Sequence, residues 1–218
     1  MVISRKIIRP TSILFDWDGT LANTYQALYL SMNDTLINFG HEPKVYNDWL
    51  DWFIKSPKDS FKEIFKNEYD KAYKYYLNRY SLIHNNNIYF YDNIVSILDH
   101  LYSNSDITLG IVSNKKKEIL DLEIRKLFAE KYFSVVVGSG DTSEDKPSPK
   151  PILHALSSLN KIPSKEVWFI GDTEVDVKSG LQAGCTTILI NNSFFKTKPD
   201  ILLENHSDLL DLVFSYTS

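Results

Sequence analysis

The sequence predicts an α/β protein in which helices cover both faces of a Rossmann-like, doubly wound parallel sheet. Short runs of apolar and β-branched residues recur along the chain, each about as long as a buried parallel strand. These runs are 12–15, 107–112, 134–137, 167–170 and 187–190. Segments with helical spacing lie between them. Their apolar stripes are Ile94, Ile97, Leu98 and Leu101, then Ile119, Leu122, Ile124 and Leu127.

Length and composition exclude several classes of protein. The 218 residues are enough for one domain with a smaller insertion. A net charge of −4 gives no basic surface for nucleic acid, and no apolar run approaches the ~20 residues that span a bilayer. The single Cys185 fits a reducing compartment, and its neighbours indicate a buried small apolar residue. We therefore expect a cytoplasmic protein with neither a nucleic-acid nor a membrane partner.

The segment 23–87 differs from the rest of the chain. It has no strand-like run, is rich in aromatic residues and shows helical spacing in several pieces. Tyrosines recur every three or four residues at 69, 73, 76 and 80, and this stripe favours packing inside a small helical domain over a ligand-facing surface. We predict an all-α domain at 23–87, inserted after the first strand of a core formed by residues 1–22 and 88–218.

Acidic and polar residues follow several of the predicted strands. Asp16 and Asp18 come directly after the first run, Ser113 ends another, and Asp172 follows a third. Since the carboxyl ends of parallel strands form the binding crevice of an open α/β sheet, these side chains are expected to converge. Carboxylates ~4 Å apart repel by about 4 kcal/mol at an effective dielectric constant near 20, so we expect a cation to bind among them and offset this repulsion. All-oxygen ligands with room for water favour Mg²⁺ over zinc.

A lysine completes the predicted chemistry. Lys146 precedes Ser148 and Pro149, which are good residues for starting a helix, so it is a candidate point charge for a phosphoryl oxygen. A metal, a lysine and a hydroxyl around one carboxylate indicate phosphoryl transfer. The run 115–117 of three lysines could also bind an anion, although most such runs are a solvated helix start.

In this order, the residues resemble the four motifs of the haloacid dehalogenase (HAD) superfamily, and the likeness covers the chain from Ile13 to about Ile190. Asp-x-Asp-x-Thr, a Ser at a strand end, a Lys and Gly-Asp-x-x-x-Asp match Asp16, Asp18, Thr20, Ser113, Lys146, Asp172 and Asp176. The resemblance implies a HAD-like core with a small helical cap at 23–87, as in phosphoglycolate-phosphatase-like members. Such caps close over the substrate and exclude water.

The resemblance also implies a role for each catalytic residue. Asp16 would attack phosphorus and form an aspartyl-phosphate, while Asp18 would protonate the leaving alcohol and then deprotonate water. Ser113 and Lys146 would stabilise the transferring phosphoryl group.

The ligands of metal and phosphate follow from the same likeness. Asp16 and Asp172, with the backbone carbonyl of Asp18, would hold Mg²⁺, and Asp176 would support metal-bound water or orient Lys146. The implied phosphate-binding residues are Thr20, Ser113, Asn114 and Lys146.

Three functions remain open at this stage. Asp18 favours phosphotransfer, because dehalogenases of the superfamily lack a carboxylate there. The leading hypothesis is a phosphatase for a small phosphorylated metabolite, resembling phosphoglycolate phosphatase. The alternatives are a phosphosugar mutase resembling β-phosphoglucomutase, and a non-catalytic module switched by phosphorylation. Lys55 is a hypothetical contact for the leaving group, and the sequence leaves the oligomeric state open.

Overall fold

The predicted strands belong to one seven-stranded sheet in the computed structural model, which describes residues 2–3, 7–45, 57–104, 106–191 and 195–217. The strands are β1 (Val2–Ile3), β2 (Ser12–Phe15), β3 (Ala22–Asn23), β4 (Tyr89–Phe90), β5 (Thr108–Lys116), β6 (Val135–Ser139), β7 (Val167–Gly171), β8 (Thr186–Ile190) and β9 (Ile201–Leu203). The sheet order is β1-β9-β8-β7-β2-β5-β6, and β3 pairs with β4 separately. All neighbours in the large sheet are parallel except β1 and β9, which confirms the predicted fold class.

Helices follow the strands in the alternation that the sequence predicts. They are α1 (Tyr25–Asn38), α2 (Pro57–Phe65), α3 (Tyr69–Ile83), α4 (Ile94–Ser103), α5 (Lys117–Lys126), α6 (Lys150–Ser158), α7 (Glu174–Gln182) and α8 (His206–Thr217). The chain divides into two units, one formed by Met1–Ala22 with Phe90–Ser218 and the other by Asn23–Tyr89.

The central strand β2 sends alternate side chains to the two faces of the sheet. Ile13 and Phe15 join a buried cluster with apolar residues of α4, α5 and α8. Leu14 points to the other face, where it joins a cluster with residues of α6. Burial on both faces explains why this strand is apolar throughout and lacks the alternation of a half-exposed strand.

Close packing between β2, β5 and β6 requires a glycine at position 110. A Cβ atom there would lie 2.6 Å from Cγ1 of Val135 and 2.7 Å from Cδ2 of Leu14. Both distances are too short for carbon atoms, so a side chain at this position would displace the side chains of Val135 and Leu14.

Helix α5 buries a face that overlaps only in part with its predicted apolar stripe. Ile124 is buried and Leu127 packs against the core, as predicted, but Leu122 is 45% exposed, while Leu120 and Glu123 are buried. The prediction was wrong for Leu122 because it took Glu123 as solvent-facing, whereas this carboxylate lies inside the core with hydrogen-bonding partners.

The unit Asn23–Tyr89 is built from α1, α2 and α3. Tyr76 and Tyr80 of α3 are buried, and Phe61 of α2 packs against Tyr76 with ring centroids 5.1 Å apart. Arg79 of α3 donates from Nε to Oδ2 of Asp34 in α1 at 2.9 Å. These contacts confirm that the tyrosine stripe packs within its own helical unit.

None of the helices in the described part of the chain is both long enough and apolar enough to cross a bilayer. Cys185 is fully buried, as its neighbours predicted.

Replacing Ile111 with alanine tests how far stability depends on the central strands. Ile111 is fully buried in β5, so Ile111→Ala is expected to lower the free energy of unfolding by about 2–5 kcal/mol in urea denaturation. The matched control is Ile162→Ala, since Ile162 is 80% exposed, and its effect should stay within about 0.5 kcal/mol. Equal losses in the two variants would contradict this assignment of the core.

Candidate active site

Asp16 follows β2 and lies beside the end of β7. Its backbone N–H donates to the carbonyl of Ile170 at 2.8 Å, while Phe15 is in register with both Ile111 and Ile170. The carboxyl ends of β5 and β7 therefore flank this residue, which is the place where an open α/β sheet forms its crevice.

A tight turn carries the chain from Asp16 to Asp18. The backbone N–H groups of Leu21 and Ala22 donate to the carbonyl of Trp17 at 3.1 and 3.0 Å. Gly19 has a φ of +80°, a left-handed conformation that residues with a Cβ atom rarely adopt. The side chain of Asp18, 22% exposed, is the partly solvent-accessible acid of this turn.

The ammonium group of Lys146 is buried among acceptors. Its Nζ donates to Oδ1 of Asp16 at 2.7 Å, to Oδ1 of Asp176 at 2.7 Å and to the carbonyl of Val112 at 2.9 Å. The two carboxylates outweigh the effect of burial, which by itself would lower the pKa of Lys146, and they raise it above its ordinary value. Lys146 is therefore a fixed positive charge beside Asp16.

Asn114 holds the main chain of Lys146 in place. Its Nδ2 donates to the carbonyl of Lys146 at 2.8 Å, and the backbone N–H of Lys146 donates to its Oδ1 at 2.9 Å. Both polar atoms of this amide are used in orienting the lysine loop, so the phosphate contact expected of Asn114 stays a prediction.

Three carboxylates meet at this edge of the sheet. Asp16, Asp172 and Asp176 are buried, and each offers an oxygen within 4.8 Å of the others. At that distance each like-charged pair repels by roughly 3 kcal/mol at an effective dielectric constant near 20, and one lysine offsets only part of the charge. Carboxylate oxygens are the ligands that Mg²⁺ prefers, so the donor set fits this ion. The carboxylate of Asp18 is not among the three.

Burial is the main reason why Asp16 is a weak acid in the absence of a cation. It raises the pKa of Asp16 to about 7; the charge of Lys146 opposes this shift, and the carboxylates of Asp176 and Asp18 add to it. A cation beside Asp16 would favour its ionised form, which is the form that a nucleophile needs.

Asp176 has two structural roles. Its Oδ1 accepts from Lys146, while its Oδ2 accepts from the backbone N–H of Thr173 at 3.0 Å and from the Thr173 hydroxyl at 2.6 Å. The bond from the Thr173 backbone N–H is one half of the capping box of α7. A Cβ atom on Gly171 would lie 2.3 Å from Cβ of Asp176, so only glycine fits before Asp172.

The predicted hydroxyl ligands are buried. Oγ of Ser113, in the irregular end of β5, accepts from the backbone N–H of Lys115 at 3.2 Å. Oγ1 of Thr20 has no hydrogen-bond partner in the described part of the chain, while its carbonyl accepts from Nε2 of His206 at 2.9 Å. Their phosphate contacts stay predictions, and Lys55 lies outside the described residues.

Lys115 is a residue of this site that the sequence interpretation missed. It belongs to the run 115–117 that was interpreted as a solvated helix start, yet it is buried, and its Nζ donates to Oδ1 of Asp18 at 2.5 Å. One sequence signal could have found it, because residues two apart in a strand, such as Ser113 and Lys115, are expected to face the same side.

Comparison with known proteins gives a consistent result. Residues 13–190 match the model of the haloacid dehalogenase-like hydrolase family. The chain is 32% identical over 215 residues to a phosphoglycolate phosphatase of Aquifex aeolicus, covering 92% of this chain and 95% of the relative. It is also 32% identical over 212 residues to the pyrophosphatase PpaX of Listeria monocytogenes, covering 93% and 96%. A HAD-superfamily hydrolase from Ehrlichia chaffeensis superposes with a TM-score of 0.67 at 30% identity, over 98% of this chain and 100% of that one.

The family match spans the strands that carry Asp16, Ser113 and Asp172, and the two relatives compared over nearly their full length are named for the release of phosphate. The chain therefore belongs to the haloacid dehalogenase-like hydrolase family and is one of its phosphatases.

Proposed function

We propose that this phosphatase is a Mg²⁺-dependent phosphomonoester hydrolase that transfers the phosphoryl group of a small metabolite to Asp16 and then to water. The observation that carries the proposal is the buried Asp16, with Lys146 2.7 Å from its Oδ1 and with Asp172 and Asp176 beside it. A carboxylate held next to a fixed positive charge suits nucleophilic attack on a phosphoryl group, whose oxygens the same charge stabilises.

The reaction has two steps in this proposal. A carboxylate oxygen of Asp16 bonds to phosphorus as the bond to the leaving oxygen breaks, and Asp18 gives its proton to that oxygen. A water molecule then attacks the phosphoryl group while Asp18 takes a proton from it, and the release of phosphate restores Asp16. Asp18 is suited to this work because its side chain is partly exposed and adjoins the nucleophile.

The residues that would hold Mg²⁺ are Asp16, Asp172 and the backbone carbonyl of Asp18, with Asp176 in support. When bound, the ion supplies positive charge that offsets the clustered carboxylates and the charge on the phosphoryl oxygens. The clustered carboxylates support this part of the proposal, because Asp176 and Asp18 add to the effect of burial in raising the pKa of Asp16 and a cation would oppose both effects.

The proposed substrate class is a small phosphorylated metabolite. The names of the two relatives point to a phosphoryl group on either a small organic acid or a second phosphate, so both 2-phosphoglycolate and pyrophosphate belong in a substrate panel. The role of residues 23–87 as a substrate cap, the cytoplasmic location and the absence of nucleic-acid and membrane partners stay predictions.

Replacing the nucleophile tests the mechanism. Asp16→Asn is expected to lower kcat for phosphate release by at least about 10³-fold, because an amide cannot form the covalent intermediate. The assay follows inorganic phosphate from p-nitrophenyl phosphate and the metabolite panel with Mg²⁺ present. The matched control is Asp211→Asn, an exposed position on α8, which should retain wild-type turnover. Full activity of Asp16→Asn would refute the covalent mechanism, and turnover that requires a bisphosphate activator would favour the mutase.

Binding of Mg²⁺ can be tested without catalysis. At ten times its dissociation constant, the ion should stabilise the wild type by about 1.4 kcal/mol, measured as a shift in thermal unfolding. Asp172→Asn is expected to abolish this shift and to raise the melting temperature of the metal-free protein, because one of three mutually repelling charges is removed. Asp211→Asn should keep the shift. An undiminished shift in Asp172→Asn would contradict the proposed ligand set.

A further inference from the structure

A hydrogen-bonded chain of side chains connects the core to Asp18. The indole Nε1 of Trp17 donates to Oε2 of Glu123 at 2.7 Å. Nζ of Lys115 lies 2.8 and 3.0 Å from the two carboxylate oxygens of Glu123, and it donates to Oδ1 of Asp18 at 2.5 Å. The chain therefore runs from Trp17 through Glu123 and Lys115 to Asp18.

Burial makes this arrangement rigid. Trp17 and Glu123 are fully buried, and the side chain of Lys115 is 5% exposed, so Asp18 is the member that reaches solvent. A buried carboxylate is costly unless it is paired and hydrogen-bonded, and Glu123 receives both the indole N–H and the ammonium group. Since Glu123 fixes the ammonium group, the ammonium group in turn fixes one oxygen of Asp18.

Asp16 and Asp18 thus bond to different lysines. Lys146 bonds to Asp16 and Asp176, whereas Lys115 bonds to Asp18 and Glu123. An ion pair that served stability alone would be complete with Lys115 and Glu123, and the further bond to a partly exposed acid two residues from the nucleophile points to a role in the reaction.

We propose that Lys115, held by Glu123 and Trp17, is a positioning residue that orients the carboxyl group of Asp18 for proton transfer to the leaving oxygen. The inference rests on the proposed function, in which Asp18 is the general acid. Without Lys115, the Asp18 carboxyl group loses the bond that fixes its Oδ1, and the proton is less often directed at the leaving oxygen.

The dependence of rate on the leaving group separates positioning from a purely structural role. A general acid matters most when the leaving alcohol is strongly basic and matters little when it leaves readily as an anion. The constant kcat/KM covers the steps up to release of the first product. Lys115→Met is therefore expected to lower kcat/KM for alkyl phosphates by about 10–100-fold but for 2,4-dinitrophenyl phosphate by less than about 3-fold.

Two further variants test whether a loss of activity comes from misfolding or from a nonspecific effect of substitution in this segment. Lys115→Met leaves Glu123 without its ammonium partner, so the double variant Lys115→Met/Glu123→Gln, which buries no unpaired charge, should fold and show the same selective loss. The neighbouring Lys116→Met is the matched control, because Lys116 is exposed; this variant should keep wild-type kcat/KM for every substrate.

Asp18→Asn provides the reference for a lost general acid. If Lys115 acts through Asp18, then adding Lys115→Met to Asp18→Asn should cause little further loss with alkyl phosphates, so the two effects are not additive. Equal losses across all leaving groups in the folded double variant, or full additivity with Asp18→Asn, would overturn the inference while leaving the proposed function intact. A different result would refute the proposed function, namely a wild type without turnover or an Asp16→Asn variant that remains active.

Discussion

The Lys146 ammonium group, enclosed by Asp16, Asp176 and the carbonyl of Val112, is the constraint on which the rest of the site depends. Three buried carboxylates at one edge of a sheet repel one another, and a fixed positive charge makes their close approach tolerable. Asn114 secures the main chain of this lysine and Asp176 secures its head group. Neighbouring elements thus contribute to one electrostatic centre, and the apolar strands beneath them supply the rigid support.

Two separate ionic networks surround Asp16 and Asp18, which lie in one short loop and have different proposed roles. Asp16 lies in the first network with Lys146, where burial raises its pKa to about 7. Asp18 belongs to the second network, with Lys115 and Glu123, and keeps a partly exposed side chain. Enzymes commonly give two carboxyl groups of one active site different roles by placing them in different surroundings.

The sequence was sufficient for the parts of this protein that follow from local pattern. Strand-like runs and the polar residues after them predicted the parallel sheet and the meeting of Asp16 with Asp172, whereas Asp176 was expected only from the family resemblance. Glu123 and Lys115 escaped notice because a charged residue ordinarily marks a solvent face. Their burial depends on partners that are distant in the chain, among them Trp17, which lies 106 positions from Glu123. Helical periodicity contains no information about such pairs.

The contact between Gly171 and Asp176 limits how this site can change during evolution. A methyl group at position 171 overlaps the side chain at 176, which in turn caps α7 and holds Lys146. The nearest atom is Cβ of Asp176, so even alanine at 176 would keep the overlap, and glycine there would remove both the cap and a lysine partner. A change at either position alone therefore impairs the protein, so the effects of substitutions at 171 and 176 depend on each other.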